Sequence, residues 1–232
     1  MHIGILQCGH THREIAAAHG DFDQMFMRLL SGHGLTFQTW NVVDMDFPPS
    51  PDAAQGWLLT GSRHGAYEDH PFIPPLEDLI RAIHRRAIPM VGICFGHQII
   101  AQALGGRVEK FAGGWSLGRQ EYRLDGLGRV ALNAWHQDQV VAVPQSAQVV
   151  GQSDFCANAA LQYGDTIFTL QPHPELAPAV IAEYLRLYGD HPVYPPELIA
   201  DARAALGADT DDARLAAHIA DFFKQPREAR HD

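Results

Sequence analysis

Lysine is all but missing from this sequence. Lys110 and Lys224 are the only two, and 17 basic residues in all stand against 27 acidic ones, a formal net charge of −10. An acidic surface argues against nucleic acid or an anionic membrane as the main partner. Long apolar runs are missing as well; none approaches the roughly 18 residues of a membrane span. The opening residues, MHIGILQCGH, carry no basic stretch ahead of an apolar core, so a secretory signal is not expected. Cysteine is scarce: Cys8, Cys94 and Cys156 form an odd, widely spaced set. Such a set makes no disulfide framework, and with no C-x-x-C pair a structural zinc site is not expected. The reducing cytoplasm is the expected compartment. Neither lysine precedes Ser or Thr, so there is no G-x-x-x-x-G-K-[ST] loop, and no complete G-x-G-x-x-G occurs. No ATP-driven step and no dinucleotide are therefore expected, and no cofactor.

The chain has 232 residues, 46% of them hydrophobic and 19% charged. That suits a folded domain with room for an appendage. Short apolar runs alternate with amphipathic stretches. HIGILQC (2–8), LTFQTWNVVD (35–44), GWLLTG (56–61) and IPMVGIC (88–94) read as strands. Residues 21–34, 72–87 and 97–106 read as helices. This alternation predicts a largely parallel sheet with helices on both faces. From 107 to 171 the pattern shifts to short β segments: RVALNAW and QVVAVP read as hairpin material, and TIFTLQ as a further strand. Residues 177–189 and two later stretches read as helices, with Asp209 or Thr210 as the cap of the last.

The chemistry gathers at VGICFGHQ, residues 91–98. Gly92-Ile93-Cys94-Phe95-Gly96 is the cysteine counterpart of the G-x-S-x-G nucleophile elbow. A sharp strand-to-helix turn brings its neighbours two positions away into collision, so those positions need glycine. The positive end of the following helix favours a thiolate, and the Phe95 N–H falls where an oxyanion forms. A buried cysteine with incidental glycines is the plainer alternative. A thiol nucleophile needs a base. Of 14 histidines the best candidate is His173 in QPHPE, which follows a strand and is held between Pro172 and Pro174. Glu175, two positions on, points the same way and can hold one imidazole nitrogen while the other faces Cys94. A proline-rich turn with a surface histidine is the alternative here.

GICFGHQ and QPHPE together resemble class I glutamine amidotransferase domains of the triad type. The likeness spans about residues 3–188. It is closest to stand-alone domains similar to the amidotransferase part of GMP synthase and to γ-glutamyl peptide hydrolases. The resemblance implies an α/β, flavodoxin-like three-layer sandwich. Its central sheet would be mostly parallel, with helices on both faces and a small antiparallel β section. Residues 1–190 would be the amidotransferase domain, and 191–232 a C-terminal helical extension packed on it. It also implies Cys94, His173 and Glu175 as the catalytic residues. LLTGSRHGAYED (58–69) matches the family's oxyanion loop, which assigns Gly61 beside Phe95. Gln98 matches a substrate-binding glutamine. Ser116 in GWSLG and His136 in WHQDQV fall where the family holds the ends of glutamine. Trp135 and Gln137 depart from the S-H-G-D found there in many members.

The implied reaction is hydrolysis of the γ-amide of glutamine or a γ-glutamyl compound through a Cys94 thioester. No synthetase domain accompanies it, so the alternative is a glutaminase component that supplies ammonia and works only with a separate synthetase partner. A non-catalytic binding domain is the third reading, and the intact Cys94, His173 and Glu175 speak against it. Arg63 and His64, near the oxyanion glycine, are candidates for substrate contact or for plain loop solvation. His10, His12 and His19 lack a carboxylate or cysteine at a metal-ligand spacing and read as a polar loop, so no metal is expected. Cys8 and Cys156 read as core residues.

Overall fold

The computed structural model describes residues 1–226, so residues 227–232 of the expected 191–232 extension lie outside the described residues. The first half alternates strand and helix. β1 (His2–Leu6) leads through α1 (Arg13–His19) and α2 (Phe22–Leu29) to β2 (Thr36–Trp40). β3 (Gly56–Leu59) leads through α3 (Ile73–Arg85) to β4 (Met90–Ile93), and α4 (Phe95–Ala103) follows at once. Seven further strands come next: β5 (Arg107–Lys110), β6 (Ser116–Leu124), β7 (Gly128–His136), β8 (Asp138–Ala142), β9 (Gln148–Gln152), β10 (Ala160–Tyr163) and β11 (Ile167–Leu170). Three helices close the described chain: α5 (Pro178–Tyr188), α6 (Pro196–Ala204) and α7 (Asp212–Lys224).

A nine-stranded sheet runs in the order β2-β1-β3-β4-β11-β10-β9-β6-β7. The first five are parallel neighbours. The other four extend the sheet in antiparallel fashion, and β5 pairs with β8 in a separate antiparallel ladder. The parallel strands are apolar along their length because both faces are covered. Alternate residues feed opposite cores. Ile3, Ile5, Leu58, Val91 and Ile93 pack under α2 and α7, the latter supplying Leu215, Ile219, Phe222 and Phe223. Leu6, Trp57, Leu59 and Met90 pack under α3 and α4. A third cluster joins Ile15, Met25, Leu117, Ile181 and Ile199 from α1, α2, β6, α5 and α6.

Several local expectations are corrected. The polar loop expected around His10, His12 and His19 contains α1. Ile15 is its one buried residue, followed by three alanines, so the sequence shows no apolar stripe there. The strand expected over 35–44 stops at Trp40, and residues 42–44 form a 3₁₀ turn with left-handed Met45 behind it. RVALNAW does form a hairpin, β7 with β6, but QVVAVP pairs as β8 with the distant β5. Neither Asp209 nor Thr210 caps α7: the cap position is Asp211. Its carboxylate accepts the Ala131 amide at 2.7 Å and an Arg214 N–H at 2.8 Å, while the Thr210 hydroxyl donates to Asp212 at 2.8 Å.

Burying a large apolar side chain contributes about 1.5–3 kcal/mol, so α7 is a structural part of one core face. Phe223→Ala is expected to lower unfolding free energy by about 3–5 kcal/mol in a urea titration. An effect below about 1 kcal/mol would mean that α7 is dispensable.

Candidate active site

β3, β4 and β11 lie side by side and in parallel, so their carboxyl ends meet at one edge, where α/β sheets present reactive groups. Thr60 and Gly61 leave β3 there, Cys94 leaves β4, and Gln171 to Glu175 leave β11.

Cys94 has φ 53° and ψ −102°, a left-handed backbone in a residue other than glycine. Such strain persists only where surrounding contacts fix it. The Cys94 amide donates to Leu170 O at 2.8 Å, and the Gly96 amide donates to Thr60 O at 3.1 Å. These bonds tie the turn to both flanking strands. A Cβ on Gly92 would come within 2.5 Å of Gly96 O, and one on Gly96 would overlap the Leu59 carbonyl oxygen. The glycines are thus required by backbone packing. Cys94 caps α4, whose first N–H is that of Phe95, one of the amides a helix start leaves without an internal acceptor.

His173 is fixed from the far side of the sheet. Its amide donates to Asn133 O on β7 at 2.8 Å, and the Asn133 side chain donates to Leu176 O at 2.7 Å. The ring is buried, with Nδ1 at 2.6 Å from Glu175 Oε1 and the ring within the electrostatic reach of the Cys94 thiol. Burial opposes a charged ring, but the Glu175 carboxylate and Cys94 outweigh it and hold His173 well above its ordinary 6.5. Gly61 lies against this ring: a Cβ there would stand 2.9 Å from His173 Cε1. The structure therefore brings Cys94, His173, Glu175, Gly61 and Phe95 into one cluster.

The other candidates are placed differently. Gln98 is buried and its Nε2 donates to Asp138 O at 2.9 Å and Gln171 Oε1 at 3.1 Å, so its amide hydrogens brace the walls. Ser116 is buried and pairs in register with His136. The His136 Nδ1–H donates to Asp138 O at 3.2 Å. Burial, then the charge of His173, push His136 down to about 3. Of the histidines read as a polar loop, His10 sits between Asp21 and Asp44 at 2.6 and 2.9 Å, and His12 accepts the Glu14 amide. They do not converge with His19 on a common point. A different group, His64, Glu68 and His70, does converge. Cys8 and Cys156 are buried core residues, and burial raises both thiols.

Three features escape the sequence reading. Asn133 anchors His173 but lies in an ordinary strand pattern. Asp212, at the start of α7, is raised to about 6 by burial and then by the charge of Glu175. Glu175 Oε2 and Asp212 Oδ1 are both buried without a hydrogen-bond partner among the described residues. Trp115, Trp135, Tyr184 and Tyr194 pack ring to ring at 4.7–5.3 Å, drawn from the residue before β6, β7, α5 and the loop before α6. Only the aromatic richness of those segments could have hinted at that group.

With this geometry in view, residues 58–186 match the family model described as glutamine amidotransferase class-I. The chain belongs to the class I glutamine amidotransferase family. This amidotransferase is 32% identical to one of the subunits of the glutamine-hydrolyzing GMP synthase from Halobacterium salinarum, over 72% of this chain and 90% of that protein. It is 26% identical to gamma-glutamyl peptidase 3 of Arabidopsis thaliana, over 73% and 74% of the two chains. In fold it resembles the solved glutamine amido transferase from Methylobacillus flagellatus, with TM-score 0.74 at 20% identity, covering 100% of this chain and 98% of that one. The flavodoxin-like sandwich is thereby established. No described helix of the amidotransferase is long and apolar enough to cross a membrane.

The site carries a pH signature. His97 is fully buried on α4, with Nδ1 at 2.8 Å from the Thr169 hydroxyl. Burial, then the charge of His136, lower it from 6.5 to about 3. Its folded value lies below its unfolded one, so the stability it confers is present above about pH 6.5 and is lost as pH falls toward 3. His136 acts in the same sense. His173 and Asp212, both raised, act in the opposite sense. Removing the titration with His97→Gln is expected to flatten the loss of stability between pH 5.5 and 4 by about 1.4 kcal/mol per pH unit. Urea titrations at several pH values would read this, and an unchanged slope would refute it.

Proposed function

We propose that the chain hydrolyses the γ-amide of glutamine or of a γ-glutamyl compound through a covalent Cys94 thioester. The observation that carries the reading is the left-handed Cys94 at the head of α4, facing a buried His173 that Glu175 holds at 2.6 Å. Family membership supplies the general chemistry.

The geometry supports one role for each group. His173 draws the thiol proton, leaving a thiolate–imidazolium pair that Glu175 stabilises. The sulfur attacks the γ-carbonyl carbon, a C–S bond forms, and the carbonyl π-electrons move to oxygen. The N–H groups of Gly61 and Phe95 receive that oxyanion. The tetrahedral centre collapses, the C–N bond breaks, and His173 gives its proton to the leaving ammonia or amine. Water then attacks the thioester with His173 as base, and glutamate leaves with the thiol restored. Ser116 and His136 are assigned to substrate binding and Gln98 to holding the wall of that site. The extent of the amidotransferase domain is assigned to residues 1–190, with α6 and α7 as an extension packed upon it.

A second reading has one observation in its favour. The relative from Halobacterium salinarum, which this chain covers over 90% of its length, is one component of a GMP synthase. In that case the ammonia would pass to a separate synthetase protein. The similarity to a gamma-glutamyl peptidase and the departures at Trp135 and Gln137 favour the self-sufficient hydrolase. A non-catalytic role is disfavoured by the assembled Cys94, His173 and Glu175. A soluble, cytoplasmic protein that takes no nucleic acid, membrane or cofactor fits the same proposal.

Glutamate release from glutamine and from a panel of γ-glutamyl amides tests the proposal. Cys94→Ala is expected to abolish turnover while leaving the melting curve intact. His173→Ala should lower kcat by about 10²–10⁴-fold, and Glu175→Gln by less. Turnover of conjugates with little on glutamine would establish the self-sufficient hydrolase. Slow or absent turnover with a reactive thiol would favour the synthetase-dependent reading. Glutamate release by the Cys94→Ala protein would overturn the mechanism.

A further inference from the structure

We propose that His64, Glu68 and His70 form a binding site for one divalent transition-metal ion of the zinc class, in the loop that follows Gly61. The ligand atoms of the three residues lie within 4.8 Å of one another, the one such group among the described residues. Glu68 Oε2 stands 2.8 Å from His70 Nε2 and 3.8 Å from His64 Nδ1. Ligands about 2.1 Å from a tetrahedral ion are about 3.4 Å from each other. The two observed separations bracket that value, so small side-chain rotations admit an ion. Two imidazoles and one carboxylate are a donor set that suits zinc-class ions rather than calcium or magnesium. It would leave a fourth position to water.

The loop is already shaped for this. Gln102 of α4 donates to Ala66 O at 2.7 Å, and the Tyr67 hydroxyl donates to Asp138 at 3.2 Å. The Glu68 amide donates to Gly65 O, and the His64 amide to Ser62 Oγ, each at 3.1 Å. Both imidazoles pack on the buried Phe72, with ring centroids 5.8 and 5.9 Å away, and on each other at 4.1 Å. The three side chains are 20%, 45% and 32% exposed, so an ion can enter from solvent. The Glu68 carboxylate supplies the negative charge that a bound cation needs. An ion held here would tether the loop three residues beyond Gly61 to the start of α3.

The test is a cobalt(II) titration of the metal-stripped full chain carrying Cys94→Ala, which keeps the reactive thiol from capturing the ion. Visible absorption reports the coordination. One equivalent of cobalt per chain is expected, with the d–d bands of a low-coordinate site, displaced by zinc. Zinc is also expected to raise the melting temperature. Glu68→Gln and His70→Ala should each lose the bands, whereas His10→Ala should keep them. Circular dichroism checks that each variant is folded, and the half-exposed Glu68→Gln serves if His70→Ala is not. Absence of saturable binding, or binding that survives Glu68→Gln and His70→Ala alike, would overturn the proposal. Neither result depends on the hydrolase reading, because the protein tested has no thiol at position 94.

Discussion

At the carboxyl end of β4 the backbone of Gly96 lies directly against the Leu59 carbonyl, and no side chain could stand between them. That contact sets how closely α4 can approach the sheet, and the approach forces Cys94 into its left-handed conformation. Two hydrogen bonds from backbone amides to the neighbouring strands then hold the strained turn. The thiol's exit from the sheet, the Phe95 amide beside it and the axis of α4 all follow. Relaxing the contact would let the turn unwind and the sulfur swing away from His173.

The partner of that turn is assembled from elsewhere in the chain. His173 reaches the thiol because β11 lies next to β4, and it is fixed because Asn133 on β7 holds its amide. The antiparallel half of the sheet therefore has a part in positioning the imidazole. Glu175 is fully buried with one oxygen on His173 and the other without a hydrogen-bond partner among the described residues, near the half-buried carboxyl of Asp212. Breaking a buried ion pair on one side is strongly destabilising, so the region trades stability for a charged imidazole. Sites of this kind are where a fold departs from its own packing rules.

The parallel half of the fold was legible because buried parallel strands are continuous apolar words, and HIGIL, GWLL, MVGI and IFTL are such words. The elbow was legible because steric exclusion writes glycines at fixed offsets from the cysteine. His173 and Glu175 were legible because both lie on one short segment. What could not be read was long-range. Nothing in RVALNAW distinguishes the asparagine that anchors His173. Asp212 lies far from Glu175 in sequence, and only the packing of α7 brings them near. α1 was hidden because three alanines give it no stripe, and its helical form is stabilised by docking Ile15 among α5 and α6 residues.

The place of α7 has a consequence for how the protein is made. β1 leaves the ribosome long before α7, yet Ile3 and Ile5 finish beneath Phe222 and Phe223. Until α7 has been synthesised, that face of the sheet is covered by α2 alone. A nascent chain paused before α7 would present a ridge of isoleucine, leucine and valine to solvent, a surface suited to holding chaperones and to misassociation with its copies. The order of synthesis thus runs against the order of burial on this face, which is completed only when α7 docks beside α2.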